Sequence, residues 1–295
     1  MKCNYLTKII GGQDGAIFGE YFFRFEHYGE GCVYKVKDIL EAKTEKVSPL
    51  CSFMLDKKDL VCPHSNSVSF GKDYYAEGDE FPLLYTNVYN NYEKTADKRI
   101  GVCCVYRILR TEAGVERFTS ELVQVIEVGF VEDATLWKMS EEAHSRRPFG
   151  NFTVDSKSGL LWAFVMREAT EKTRYFSFNV PSVHDGELDE KYGAKKVILK
   201  KEDIIEYFDT EHHRYMQGAC VHNDKMYSLE GFNLTYDVNR PPALRIIDLK
   251  EKKQVFYAML GDYGYEKEPE VIEFYGDVCL CIDAYGYAYT IDFEQ

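Results

Sequence analysis

The apolar and polar positions of this chain fall into a unit that recurs five times. In each unit a short polar cluster precedes a strand-like apolar run, followed by a turn and a second strand. The clusters with their runs read GGQDGAIF (11–18), CPHSNSVSF (62–70), RPFGNFTVD (147–155), YMQGACVH (215–222) and EKEPEVIEF (266–274). Residues 16–37 read as a hairpin turning at Tyr28-Gly29-Glu30-Gly31, and the alternation of Phe23 and Phe25 with Arg24 and Glu26 has the period of a half-buried strand. Residues 66–70 pair with 82–89, and GVCCVYRILR pairs with VERFTSELVQVIEVGF across Thr111-Glu112-Ala113-Gly114. NFTVD and GLLWAFVM flank Ser156-Lys157-Ser158-Gly159 and lead to TRYFSFNV; ACVH, KMYSLEGF, ALRIIDL and QVFYAML follow. EVIEFYG, DVCLCIDAYG and YAYTIDF end the chain. Helical patterning is thin: 37–46, 135–145 and 200–213 each predict a turn or two, as excursions between units.

The anchor positions Asp14, Asn66, Asn151, Gln217 and Glu270 lie 52, 85, 66 and 53 residues apart, and five units in 295 residues average about 59 each. Strand units repeated at such intervals indicate a radial or solenoid array, and all-β units favour the radial one. The last unit shows three strands. The segment Tyr5-Leu6-Thr7-Lys8-Ile9-Ile10 is placed to supply a fourth and close the ring, which would remove exposed sheet edges. Over nearly its full length the chain resembles the β-propeller superfamily. The expectation is an all-β single domain over 1–295 with five blades, or six if the stretch 56–130 holds two, and few short helices in connecting loops. No subfamily is indicated. No WD dipeptide follows a GH, no Kelch double glycine recurs, and Thr153–Trp162 has the look of a sialidase box with the wrong Asp–Gly spacing.

Composition narrows the partners. The net charge of -13 and pI of about 5.1 argue against a nucleic-acid surface, which needs a basic stripe, and disfavour anionic membranes. No apolar run reaches the roughly 18 residues of a membrane helix, and MKCNYLTKIIGGQDG lacks the apolar core of a signal peptide. Nine scattered cysteines are an odd number and no small disulfide framework, which predicts reduced thiols in a cytoplasmic protein. A leader removed ahead of residue 1 is the alternative. The 23 Tyr and 19 Phe suit sheet-on-sheet packing.

In a propeller the innermost strands line one axis, so the five clusters would meet at one mouth. Gln13, Asp14, His64, Asn66, Asn151, Gln217, Glu268 and Glu270 then offer donors and acceptors in several directions, which suits a hydroxyl-rich ligand such as a saccharide. Gly12, Gly15, Gly150 and Gly218 beside them allow close approach. Tyr85, Trp162, Arg167, Arg214, Tyr215 and Tyr265 are candidates to frame the mouth, Trp162 and Tyr215 foremost, as stacking platforms; inter-blade packing is the competing role. The expected function is binding of a small molecule. One alternative is a glycoside hydrolase, which needs two facing carboxylates from Asp14, Asp155, Glu230, Glu268 and Glu270; another is a protein–protein scaffold using the loops of units two and three. No cofactor is expected, an axial Ca²⁺ on Asp14, Asn66 and Glu270 being the minor alternative. His212-His213, His64, His222 and the Cys279/Cys281 pair do not match zinc spacing.

Overall fold

The computed structural model describes residues 1–88, 101–128, 151–166, 172–211, 213, 216–235 and 238–293. Within them five sheets, antiparallel but for one pair of strands in blade two, are arranged around one axis. After β1 (Lys2–Lys8), blade one comprises β2 (Gly15–Phe18), β3 (Tyr21–Phe25), β4 (Glu30–Lys35) and β5 (Cys51–Met54). Blade two begins with β6 (Val68–Phe70), β7 (Leu84–Asn87), β8 (Val102–Arg110) and β9 (Phe118–Val128). In blade three, β10 (Asn151–Asp155), β11 (Leu160–Met166) and β12 (Thr173–Asn179) lie in order. The chain then returns to blade two, where β13 (Glu187–Asp189) pairs with β14 (Ala194–Leu199) and β14 runs parallel to β9. It goes back to blade three as its outer strand β15 (Glu206–Thr210). Blade four is β16 (Met216–His222), β17 (Lys225–Glu230), β18 (Ala243–Asp248) and β19 (Lys253–Met259). Blade five is β20 (Pro269–Tyr275), β21 (Val278–Asp283) and β22 (Tyr287–Asp292), completed by β1, which pairs antiparallel with β22 from Lys2↔Asp292 to Lys8↔Tyr287. The two ends of the chain thus share one blade, as the apolar N-terminal segment predicts.

The count is five. The long second unit holds no additional blade among the described residues; the nine-residue β8 and eleven-residue β9 account for part of its length. Of the helical stretches, α1 (Val36–Leu40) lies inside blade one, not between units. Among its described residues the stretch 200–213 gives a 3₁₀ turn at Lys201–Asp203 and then β15. Tyr207 and Phe208 alternate across that strand and Phe208 packs into the core, so sheet pairing overrides the weak helical pattern. A further short helix, α2 (Lys58–Val61), precedes β6. The stretch 135–145 lies outside the described residues.

The inner strands of each blade are buried on both faces against its neighbours, so successive residues of those strands enter different cores, while the outer strands stay partly exposed. Phe23 packs toward blade two with Phe70, Phe81 and Phe118, while the adjacent Phe22 joins Leu280 and Ile282 of blade five. Leu161 and Ala163 face blade two with Tyr85 and Val105; Trp162 and Phe164 face blade four with Met216 and Ile247. Cys279 and Cys281 face blade four with Leu229 and Ile246. The aromatic count concentrates between blades one and two, where Phe23 lies 5.3 Å from Phe81 and 5.4 Å from Phe70 in edge-to-face geometry.

Phe23 is fully buried in that cluster. Phe23→Ala is expected to lower the unfolding free energy by roughly 3–5 kcal/mol, measured by urea denaturation. A loss below about 1 kcal/mol would show that this interface does not carry the ring.

Candidate functional site

Each inner strand starts where its polar cluster ends, so the five clusters converge at one end of the axis. Asp14 stands just before β2 and Asn66 just before β6, while Asn151 opens β10. Gln217 and Glu270 occupy the second residues of β16 and β20, at irregularities in the pairing between Met216 and Ala219 and between Pro269 and Val271. Such bulges re-aim side chains. Close packing here demands a glycine at 218: a Cβ on it would lie 2.0 Å from the Glu270 carbonyl oxygen and 2.8 Å from Asp14 Oδ1.

The result is a buried polar plug across the axis. Asp14, Asn66, Asn151 and Glu270 are each at most 2% exposed, and Gln217 is 6% exposed. Asn87 Nδ2 donates to Asn66 Oδ1 (2.6 Å) and to Asn151 Oδ1 (3.1 Å), and Asn151 Nδ2 donates to the carbonyl of Gln217 (2.6 Å). Gln217 Nε2 donates to Glu268 Oε1 (2.9 Å) and to the carbonyl of Gly231 (3.1 Å). The Val68 N–H donates to Asp14 Oδ2 at 2.8 Å, binding blade one to blade two. Above the plug sits a half-buried rim. Gln13 Nε2 reaches Glu270 Oε1 at 3.4 Å, and His64 Nε2 lies 3.0 Å from Gln13 Oε1 and 2.9 Å from His27 Nε2.

The cation of the plug is Arg24. Its position in an alternating strand suggests a polar face in a half-buried strand, yet it is 1% exposed. The reason is that β3 is buried on both faces, so its polar positions point into the protein as well. Arg24 Nη2 donates to the carbonyls of Gly12 (2.5 Å) and Asp283 (3.0 Å). Burial pulls its pKa down, and the charges of Glu270, Asp14 and Asp283 oppose that. Burial pushes the carboxyls of Asp14 and Glu270 well above the usual range. For Asp14 the Val68 N–H works in the other direction; for Glu270 the nearby Glu268 adds to the rise and Arg24 opposes it. Burial raises Glu268 and Asp283 as well. Asp14 Oδ1, Glu270 Oε2, Asp283 Oδ2 and Arg24 Nε and Nη1 are buried with no hydrogen-bond partner among the described residues.

The remaining candidates are dispersed. Trp162 is on the second strand of blade three, 2% exposed and edge-on to Phe208 at 6.0 Å, packed between blades and not at the mouth. Tyr85 and Tyr265 are buried in inter-blade cores. Tyr215, Arg167, Arg214, Gly150 and His212 lie outside the described residues, as do parts of the loops of units two and three. Asp155 accepts from Lys157 N and Ser158 Oγ in its own hairpin turn, and Glu230 pairs with Arg245 at 3.0 Å. His222 stacks on Phe274 at 4.0 Å, and His213 meets the Tyr175 hydroxyl. No group of three or more His, Cys, Asp or Glu side chains is disposed to hold a metal ion among the described residues. Asn87, Arg24 and Asp283 were missed by the sequence reading. Asn87 and Asp283 end the second strands of their blades and Arg24 is one residue from the end of β3, next to the start of the antiparallel inner strand. A polar residue closing the second strand of a unit is the signal that would have found them.

The chain is thus an all-β protein with five propeller blades and a polar plug at one end of its axis. No family model matches it, and no curated protein matches it. Two solved structures similar to it are a glutaminyl cyclase from Myxococcus xanthus, at 8% identity and a TM-score of 0.49, over 99% of this chain and 96% of that one, and BamB from Moraxella catarrhalis, at 7% identity and a TM-score of 0.34, over 98% of this chain and 61% of that one.

A carboxyl whose pKa is higher in the folded than in the unfolded protein contributes its stability below the unfolded value and loses it as pH rises through the folded one. Glu270→Gln should therefore flatten the decline of stability as pH rises above the ordinary glutamate range, leaving the variant the more stable protein at the upper end. Urea denaturation across that range is the measurement; parallel curves for the two proteins would refute the assignment. Gly218→Ala is expected to destabilise the fold by more than about 3 kcal/mol, because backbone must move to admit the methyl group.

Proposed function

We propose that the protein binds a small hydroxyl-rich molecule, a saccharide being the class to test, at the rim above the axial plug. The observation that supports this is the layered arrangement of Gln13, His64 and Glu268, half-buried, over carboxylates whose free oxygens have no partner among the described residues. Buried polar atoms left unpaired are costly, and a ligand hydroxyl or an ordered water would satisfy them. The amides and carboxylates offer donors and acceptors in one place, while the plug below supplies a rigid floor. Asp14, Asn66, Asn151 and Gln217 then act chiefly by holding the rim in register, and Glu270 supplies one oxygen toward it through Gln13.

Hydrolysis is less well supported. Two catalytic carboxylates must face a scissile bond across an accessible cleft, whereas Asp14 and Glu270 are each 1% exposed and share the field of Arg24. A cytoplasmic location is proposed with the binding role, on the ground that all nine cysteines are unbridged and most are buried. No helix among the described residues is long and apolar enough to cross a membrane.

A thermal-shift screen against neutral mono- and disaccharides tests the reading. A ligand at 100 times its dissociation constant adds about 2.7 kcal/mol to the folded state, a readily measured rise in Tm. The expected result is a shift by one sugar class that disappears in both Gln13→Ala and Glu268→Gln while the unliganded Tm changes little. A shift retained in both variants, or none across the panel, would overturn it.

A further inference from the structure

The opposite end of the axis carries a cavity that the rim site does not use. Its volume is about 130 Å³, and all five inner strands line it with residues from their later halves or just beyond their ends. Phe18 of blade one and Phe70 of blade two stand there with ring centroids 5.6 Å apart. Ser69 and Thr153 contribute hydroxyls and blade four adds Cys220. Ser69 Oγ accepts the Val154 N–H at 2.9 Å, but Thr153 Oγ1, fully buried, has no partner among the described residues. The carboxyl of Glu273 on β20 completes the lining. Its hydrogen bond is from the N–H of the next residue, Phe274, at 3.2 Å. The titratable groups that feel its charge are acidic or neutral: Asp14 on the plug, Cys220 on β16 and Cys279 on β21. No lysine or arginine pairs with it among the described residues.

We propose that this end of the channel is a second binding site, for a small organic ammonium ion with an apolar body. Glu273 receives the ammonium group, the Phe18 and Phe70 rings cover the apolar part and add cation–π attraction, and Thr153 Oγ1 accepts a remaining N–H. A cavity of about 150 Å³ holds benzene, so the volume here suits a ligand of about six non-hydrogen atoms. Neutral sugars are both too large and too polar for it, which separates the site from the rim. Burial raises the Glu273 carboxyl to about 8. It is mostly protonated at pH 7, so docking of an ammonium ion releases a proton to the buffer, and affinity climbs as the carboxylate forms.

Calorimetric titration with cyclopentylamine, and with cyclopentanol as the neutral analogue of the same shape, tests this. For the wild type the amine should bind, tightening from about pH 6.5 to about pH 9, with a proton released at the lower pH. Glu273→Gln should weaken the amine by at least about tenfold at the upper pH and leave the alcohol unchanged. Glu268→Gln, at the other mouth, should leave amine binding intact. Failure of the amine to bind, equal binding of amine and alcohol, or insensitivity to Glu273→Gln would each overturn the proposal. Loss of amine binding in Glu268→Gln alone would move the cation to the rim.

Discussion

The ring stands on the burial of the inner strands of every blade on both faces. A blade with one face in water would need only alternate apolar positions; here neighbouring residues such as Phe22 and Phe23, or Leu161 and Trp162, serve two different interfaces. That demand can be met for the first and last blades only if the sheet array closes, and β1 supplies the closure by hydrogen-bonding antiparallel to β22: the N-terminal strand becomes the outer strand of the last blade. Unfolding one blade would expose the faces of two others, which couples the whole ring.

The same constraint explains the chemistry at the axis. Five inner strands cannot approach an axis without bringing their leading polar residues together, and the place where they meet is buried. Many polar atoms there satisfy each other. Amides do so directly, through Asn87, Asn66 and Asn151. The charged groups do so by field more than by contact: Arg24 bonds to carbonyl oxygens while its charge acts on Asp14, Glu270 and Asp283. Burial first, and then neighbouring carboxyls, draw Asp14 and Glu270 toward their neutral forms, against the opposing charge of Arg24. The axis is therefore organised as a half-buried polar rim, a buried polar plug and a mixed cavity, each with a different set of charges.

Sequence and structure agree where a local pattern and a tertiary demand coincide. The polar cluster ahead of each inner strand was legible because its position recurs in every unit, and Asp14, Asn66, Asn151, Gln217 and Glu270 do meet. The role of Arg24 was not, because alternation in a strand reports polarity and not exposure; only the presence of a second blade against its polar face turns that position inward. Trp162 illustrates the converse. An aromatic residue near a repeat reads equally as platform or packing, and the register Thr153↔Trp162 on a doubly buried strand makes it packing.

The amino-acid sequence by itself determined the strand units, the choice between five and six of them, a closing role for the N-terminal segment and the acidic, cysteine-bearing composition. These follow from periodicity and residue type, which are local properties. Tertiary structure alone decided which polar side chains are plug and which are rim, that the stretch 187–199 crosses back to widen blade two, and that Glu273 looks into a cavity with no cation paired to it among the described residues. Those outcomes depend on distances between residues of different blades, separated by tens to hundreds of positions, and nothing in a local pattern encodes which of two buried faces a side chain will meet.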